Sequence, residues 1–234
     1  MPTTLNKILA AHHSLLVLDT AAAITQAGWF TTGRAPRWAR SEEEAGVGIF
    51  QAIADFAVRP GAAGALAFCE GPGSILGIRS AAVALTVWRA RRDPDNAPLI
   101  FTYRSLELLA ATIAPPDVTL IADARRQSWH ALDIAADCTW GAIERRTQAD
   151  IAAIATTRAL ALPGGFRTWT PLPVPAEQIA TLSYDVATLW AHPRAADATL
   201  WREVAAPDAF QHEDPSYATW TPAVHRAPTA EAHS

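Results

Sequence analysis

Residues 65–85 constrain the fold more than any other stretch of the sequence. An apolar run, Ala65-Leu66-Ala67-Phe68-Cys69, meets Glu70-Gly71-Pro72-Gly73-Ser74, and a second apolar segment runs from Ile75 through Ala81-Ala82-Val83-Ala84-Leu85. The first run is short and unbroken, as in a strand buried on both faces. The glycines and proline interrupt it, and Ser74 supplies a helix N-cap. Strand, tight turn and helix in this order form the repeating unit of α/β domains. The opening of such a helix leaves backbone N–H groups unpaired and directs partial positive charge outward, so it can hold an anion. The same turn can equally do no more than redirect the chain.

The length of 234 residues suits one large domain or two small lobes, and 50% hydrophobic against 18% charged residues describes a globular chain. A net charge of −4 argues against a free-standing nucleic-acid binder. Lys7 is the only lysine among 19 basic residues, which reads as compositional bias rather than a binding surface. Cys69 and Cys138 lack a CxxC partner and sit among apolar or small residues. They read as reduced, mostly buried thiols, in keeping with a cytoplasmic protein. The segment Lys7-Ile8-Leu9-Ala10 faintly imitates a signal peptide, but His12-His13-Ser14 interrupts it and cleavage would destroy the following strand. No apolar run approaches the ~20 residues of a membrane span.

Along the chain, Leu15-Leu16-Val17-Leu18 is a buried strand ending in Asp19-Thr20, and residues 23–30 and 34–39 read as a hairpin about Thr32-Gly33. Ser41-Glu42-Glu43-Glu44 has the form of a capping box opening a helix over 41–58, which Arg59-Pro60-Gly61 stops. The helix opening at Ser74 ends near Arg89-Arg91-Arg92, where arginines favour a helix C-terminus. A strand at 99–101 and a helix at 105–113 complete a first lobe, 1–114, closed by Pro115-Pro116. A reduced second lobe, 115–222, opens with Val118-Thr119-Leu120-Ile121-Ala122-Asp123 and continues with partner strands at 127–135 and 139–145 and a helix at 147–155. Residues 163–175 are loop-rich, and Ile179, Leu182, Val186 and Leu189 predict a helix over 176–190. The stretch 223–234 reads as a disordered tail. Each half thus opens with an apolar strand ending in aspartate, a hint of duplication.

An aspartate at a strand end beside a glycine-rich helix start is how phosphate and magnesium sites are often built. Asp19, Thr20, Gly71, Pro72, Gly73, Ser74 and Asp123 could line such a cleft, although both aspartates can equally cap turns. Arg79, one turn into the helix, can pair with Glu70 or Asp19 or reach an anion. The seven histidines show no HxxH, HxxxH or HExxH spacing, so a helical two-histidine metal site is absent, and no metal is expected. There is no GxSxG, and Cys69 has no evident histidine partner. Trp29, Trp88, Trp140 and Trp190 are expected in cores or interfaces, and no tryptophan is grouped with basic residues as a base-stacking platform.

The order of these motifs resembles the TsaB (YeaZ) family. Asp19-Thr20 ends the first strand, Gly71 to Arg79 corresponds to GPGS-x-x-G-x-R with Gly77 in place, and Ser105 to Ala110, Ile121 to Arg125 and Pro215-Ser216-Tyr217 follow in order. The resemblance implies an α/β, actin-like (RNase H-like) ATPase fold with two lobes, each a mixed sheet with flanking helices. It further implies a non-catalytic subunit without a cofactor that binds a TsaD-type transferase and, through the complex, a TsaE-type ATPase. The transferase would modify N6 of adenosine-37 in tRNA, and this chain would meet tRNA only indirectly. In such a subunit Asp19, Thr20, Gly71, Pro72, Gly73, Ser74, Gly77, Arg79 and Asp123 would be the remnant of a nucleotide site. Ile75-Leu76 stands where the family has Phe-Thr and Ala21 where it often has a hydroxyl, which removes groups that a phosphate or hydrated magnesium would use. The partner surface, shared with a homodimer, would be the first lobe's helices, here Val47, Phe50, Ile53, Ile78, Val83 and Trp88, burying about 1,200–2,000 Å².

Overall fold

The computed structural model describes residues 1–57 and 62–210. The expected helix stop at Arg59-Pro60-Gly61, the Pro215-Ser216-Tyr217 segment and the tail lie outside them. Two mixed sheets form the frame. The first runs β1 (Ser14–Asp19), β2 (Thr25–Thr31) and β3 (Arg34–Ser41) as an antiparallel meander, then β4 (Ala65–Gly71) parallel to β1 and β5 (Leu99–Arg104) parallel to β4. The second repeats the pattern: β6 (Val118–Asp123), β7 (Ser128–Ile134) and β8 (Glu144–Thr147) form a meander, and β9 (Ala159–Pro163) returns parallel to β6. In the first sheet α2 (Ala45–Ala54) makes the crossover from the meander; in the second, α5 (Gln148–Ile154) does. The two aspartates that hinted at duplication therefore end equivalent strands. The lobes differ after that point, because α3 (Ile75–Ala90) joins β4 to β5, whereas a loop joins β9 to the four-residue β10 (Ile179–Leu182).

The strands at the centre of each sheet carry the core. Leu15, Leu16, Val17 and Leu18 of β1 and Leu66, Ala67 and Phe68 of β4 have no exposed surface, as strands covered on both faces require. Helix α4 (Ser105–Thr112) is buried along all eight residues, with contacts to β4 and β5 of one sheet and β6 and β7 of the other. It is the wedge between the lobes. Its one carboxylate, Glu107, is neutralised by Arg202, whose Nη2 donates to both carboxylate oxygens at 2.9 and 2.7 Å, which makes the burial tolerable.

Four expectations need correction. Ser41 is the last residue of β3, paired with Thr25, so it cannot cap α2; the helix begins four residues later with Glu44 as an N-cap that makes no side-chain bond. The Ser41 hydroxyl instead donates to Gln51 and accepts from the Glu43 N–H. The helix expected over 176–190 is a short 3-10 turn, then β10, then α6 (Val186–Ala191). The three- and four-residue spacing of Ile179, Leu182, Val186 and Leu189 imitates one helix, but Asp185 caps a new one by accepting from the Thr188 N–H. Nor does the second lobe keep all of its chain. After α6, α7 (Pro193–Asp197) packs on α1 (Leu5–His12) and α4, and β11 (Arg202–Glu203) pairs with β5 in the first sheet. Trp190 and Trp201 stack at 4.6 Å between ring centres, both edge-on to Tyr103, and this fastens the returning segment. Lastly, Cys69 is buried as expected, but Cys138 is only half-buried. Among the described residues no helix is long and apolar enough to cross a membrane.

Candidate functional site

The glycine-rich turn does meet the end of β1, but it is filled by protein rather than open to a ligand. A Cβ on Gly73 would lie 2.5 Å from the Ala21 carbonyl oxygen, and one on Gly77 would lie 2.5 Å from that of Thr20. The glycines let α3 press against residues 20–21. The Ser74 N–H donates to the Ala21 carbonyl at 2.8 Å, and the Ser74 hydroxyl caps the helix by accepting from the Gly77 N–H. Two of the donors that could have cradled a phosphate are thus already used. Ser105 Oγ donates to the Pro72 carbonyl at 2.7 Å and fixes the far side of the turn.

Asp19 is fully buried. Its Oδ2 accepts from the Tyr103 hydroxyl at 2.6 Å and the Tyr184 hydroxyl at 2.7 Å, and its Oδ1 accepts from the Ala21 N–H. Desolvation pushes its pKa up, and these hydrogen bonds offset part of the rise. Burial and the neighbouring Asp19 charge raise both tyrosine hydroxyls well above their ordinary value, so they remain donors. Two phenol rings therefore occupy the space in which a cation would meet this carboxylate.

Asp123 lies elsewhere and does something different. Its carboxylate accepts from the N–H groups of Arg125 at 2.5 Å and Thr170 at 2.8 Å, from the Trp169 N–H, and from the Thr170 hydroxyl at 2.8 Å. Burial alone would raise its pKa; the three backbone donors and the hydroxyl together hold it below the ordinary value. Both aspartates bind backbone beside their own strand ends, so the turn-capping alternative describes each of them. Arg79 reaches neither Glu70 nor Asp19: it pairs with Asp208 at 3.4 Å on an exposed surface, while Glu70 pairs with Arg104 at 2.7 Å.

Two clefts flank the turn. One, of about 320 Å³, is lined by Thr20, Ser74 and Gly77 together with Glu42, Glu43 and Glu44. Among the described residues, the Thr20 hydroxyl is buried without a hydrogen-bond partner, and the three carboxylates outnumber the one cation on the cleft, Arg167, and oppose a phosphate there. The other, of about 270 Å³, lies between the Gly73-Ser74 turn and the residues Asp123, Arg125, Arg167 and Trp169. Among the described residues no group of three or more His, Cys, Asp or Glu side chains could hold a metal ion.

An apolar groove of about 600 Å³ lies between α2 and α3, lined by Ile49, Phe50, Leu76, Val83, Val87 and Trp88 among others. Phe50 and Trp88 meet edge-on across it. Phe50 is 59% exposed, Leu76 77% and Val83 62%, and Val47, one turn before Phe50 on α2, is 52% exposed. Two residues expected on this surface are not there: Ile53 and Ile78 are buried in the core, because each turns to the helix face that packs on the first sheet. Sequence reasoning missed Leu76 and Val87 as groove residues, although they share a stripe with Val83 at helical spacing.

No family model matches the chain, and no curated protein matches it. Solved structures do. YeaZ from Pseudomonas aeruginosa superposes with a TM-score of 0.51 at 19% sequence identity, covering 79% of this chain and 87% of that one. A Pseudomonas aeruginosa protein described by its similarity to peptidase YeaZ gives a TM-score of 0.50 at 19% identity over the same shares. At this identity the likeness is one of fold: the chain has the two-lobed fold of YeaZ.

Proposed function

We propose that this chain is a non-catalytic, TsaB-like subunit, working in the cytoplasm, that docks a TsaD-type transferase and activates it for N6-threonylcarbamoylation of adenosine-37 in tRNA. A TsaE-type ATPase would join through that complex, and tRNA would be met only indirectly, through the transferase. The observation that carries this reading is the two-faced character of α3. Ile78, Ala81, Ala82 and Leu85 bury one face against the first sheet, while Leu76, Val83 and Val87 stand exposed on another. A helix apolar on two faces belongs between two apolar bodies, and the chain supplies one of them.

The sealed aspartate supports the non-catalytic half of the reading. Asp19, the strand-end carboxylate best placed to hold a hydrated magnesium, already has two phenol donors on one oxygen. Reaching it would require both tyrosines to leave the core. The YeaZ-like fold agrees with the reading without adding a partner to it.

Mixing the chain with the TsaD-type transferase of the same organism and resolving the mixture by size tests the docking. Co-elution is expected, together with its loss in Val83→Glu. Separate elution of the wild-type pair at micromolar concentrations would overturn the proposal.

A further inference from the structure

Asp123, which plays no part in the docking proposed above, ties together two loops that are far apart in the sequence. One is the turn between β6 and β7, and the other carries Trp169 and Thr170. In that turn Arg125, Arg126 and Gln127 all have positive φ, at 59°, 50° and 58°. Three consecutive non-glycine residues in this region are costly, on the order of 1 kcal/mol each, and persist only where other contacts fix them. Here the contacts are present. Ser128 donates its N–H and its hydroxyl to the Arg125 carbonyl, Arg145 donates to Ser128 Oγ, and the Gln148 N–H donates to the Gln127 carbonyl.

This scaffold brings Trp169, Arg125 and Arg167 to one cleft, with Arg126 exposed beside Arg125 in the turn. Trp169 is 63% exposed, an uncommon state for an indole on a rigidly tied loop. The Arg125 guanidinium lies 5.2 Å from the centre of the Trp169 ring. Arg125, Arg126 and Arg167 are all exposed, and none pairs with a carboxylate among the described residues. Of the two acids that line this cleft, Glu70 is paired with Arg104, and Asp123 stays ionised with its oxygens turned to four neutral donors of the two loops. Glu42, Glu43 and Glu44 stand across the separate cleft that Arg167 also borders. Arg125 and Arg167 on one cleft, with Arg126 next in the turn and none of them paired with a carboxylate among the described residues, make a local feature on a chain of net charge −4 and not a reflection of overall charge.

We propose that Arg125, Arg126, Arg167 and Trp169 form a platform for single-stranded nucleic acid, with an unpaired base stacked on Trp169 and the arginines on the flanking phosphates. Both parts of the ligand are needed to use the whole site. An acidic peptide would satisfy the guanidiniums but leave the exposed ring surface that Arg125 does not cover without a flat partner, whereas a base beside phosphates engages both the ring and the cations. The sequence concealed this grouping because Arg125 and Trp169 meet only through the Asp123 tie between their loops. The inference stands apart from the docking proposal, since the isolated chain suffices to test it.

The test is fluorescence anisotropy of a labelled single-stranded oligonucleotide of about 12 residues titrated with the full chain, with RNA and DNA arms and poly-glutamate as competitor. Binding to either nucleic acid is expected, with log affinity falling against log salt at a slope of about −2 for three phosphate contacts. Trp169→Ala should weaken binding about tenfold while leaving that slope unchanged. Arg126→Glu combined with Arg167→Glu should abolish binding without altering the circular dichroism spectrum. A preference for the RNA arm would indicate contacts to the 2′-hydroxyl, and equal binding would indicate recognition of base and phosphate alone. No binding to either nucleic acid at low salt, an unchanged affinity in Trp169→Ala, or equal competition by poly-glutamate would each overturn the proposal.

Discussion

Asp19 and Asp123 end equivalent strands, yet their environments give them opposite responses to pH. The Asp19 carboxyl has its folded-state pKa raised above 3.8 by burial, so its contribution to stability is greatest below that value and is lost as pH rises through the folded pKa. Asp123 has its folded pKa lowered; its contribution is present above 3.8 and is lost as pH falls through the lowered value. Urea denaturation across an acidic pH series should therefore show Asp19→Asn gaining on the wild type as pH rises, and Asp123→Asn losing ground. Parallel curves for wild type and both variants would contradict these assignments. The sequence shows that each aspartate closes an apolar strand, and that much is legible because a strand end is local. It cannot show what each carboxylate meets. The Tyr103 and Tyr184 hydroxyls come from positions 84 and 165 residues away, and no periodicity connects such distant partners.

Helices α2 and α3 show the limit of periodicity at the next scale. Apolar residues three and four apart establish that a face is apolar, but not which of two apolar faces the rest of the chain covers. Val47, Phe50 and Val83 stand on the open side, while Ile53 and Ile78, drawn from the same pattern, lie against the sheet. Charge placed at the two kinds of site should separate docking from folding. Phe50→Glu and Val83→Glu should leave the melting temperature within a few degrees of wild type and abolish the proposed complex. Ile78→Glu, burying an unpaired charge, should cost several kcal/mol and unfold the chain. Loss of fold in Val83→Glu would show that this face is covered after all. The turn offers a companion test of its architecture: Gly77→Ala, aimed at the Thr20 carbonyl, should cost about 1–3 kcal/mol even though alanine favours helix. A neutral or stabilising result would remove the close approach from the account.

At the scale of the molecule, the duplication was legible only as a hint, in the two apolar strands that end in Asp19 and Asp123, and the mixed sheet of each lobe came from the family resemblance. The return of the chain to the first sheet was not legible, since α6, α7 and β11 are short and their anchoring is tertiary. Trp201 has no exposed surface and stacks on Trp190 beside Tyr103. Trp201→Ala should therefore cost about 3–5 kcal/mol in chemical denaturation, and a loss under 1 kcal/mol would mean that the returning segment is held by other contacts. Calorimetry with Mg-ATP addresses the sealed Asp19 site: no submillimolar binding is expected, and such binding would favour an active ATPase instead. The central claim, that α2 and α3 dock and activate a transferase, is met most directly by reconstituting tRNA threonylcarbamoylation with the TsaD-type enzyme of the same organism. Wild-type chain should raise the rate and Val83→Glu should not; full activity without the chain, or equal stimulation by the variant, would contradict it.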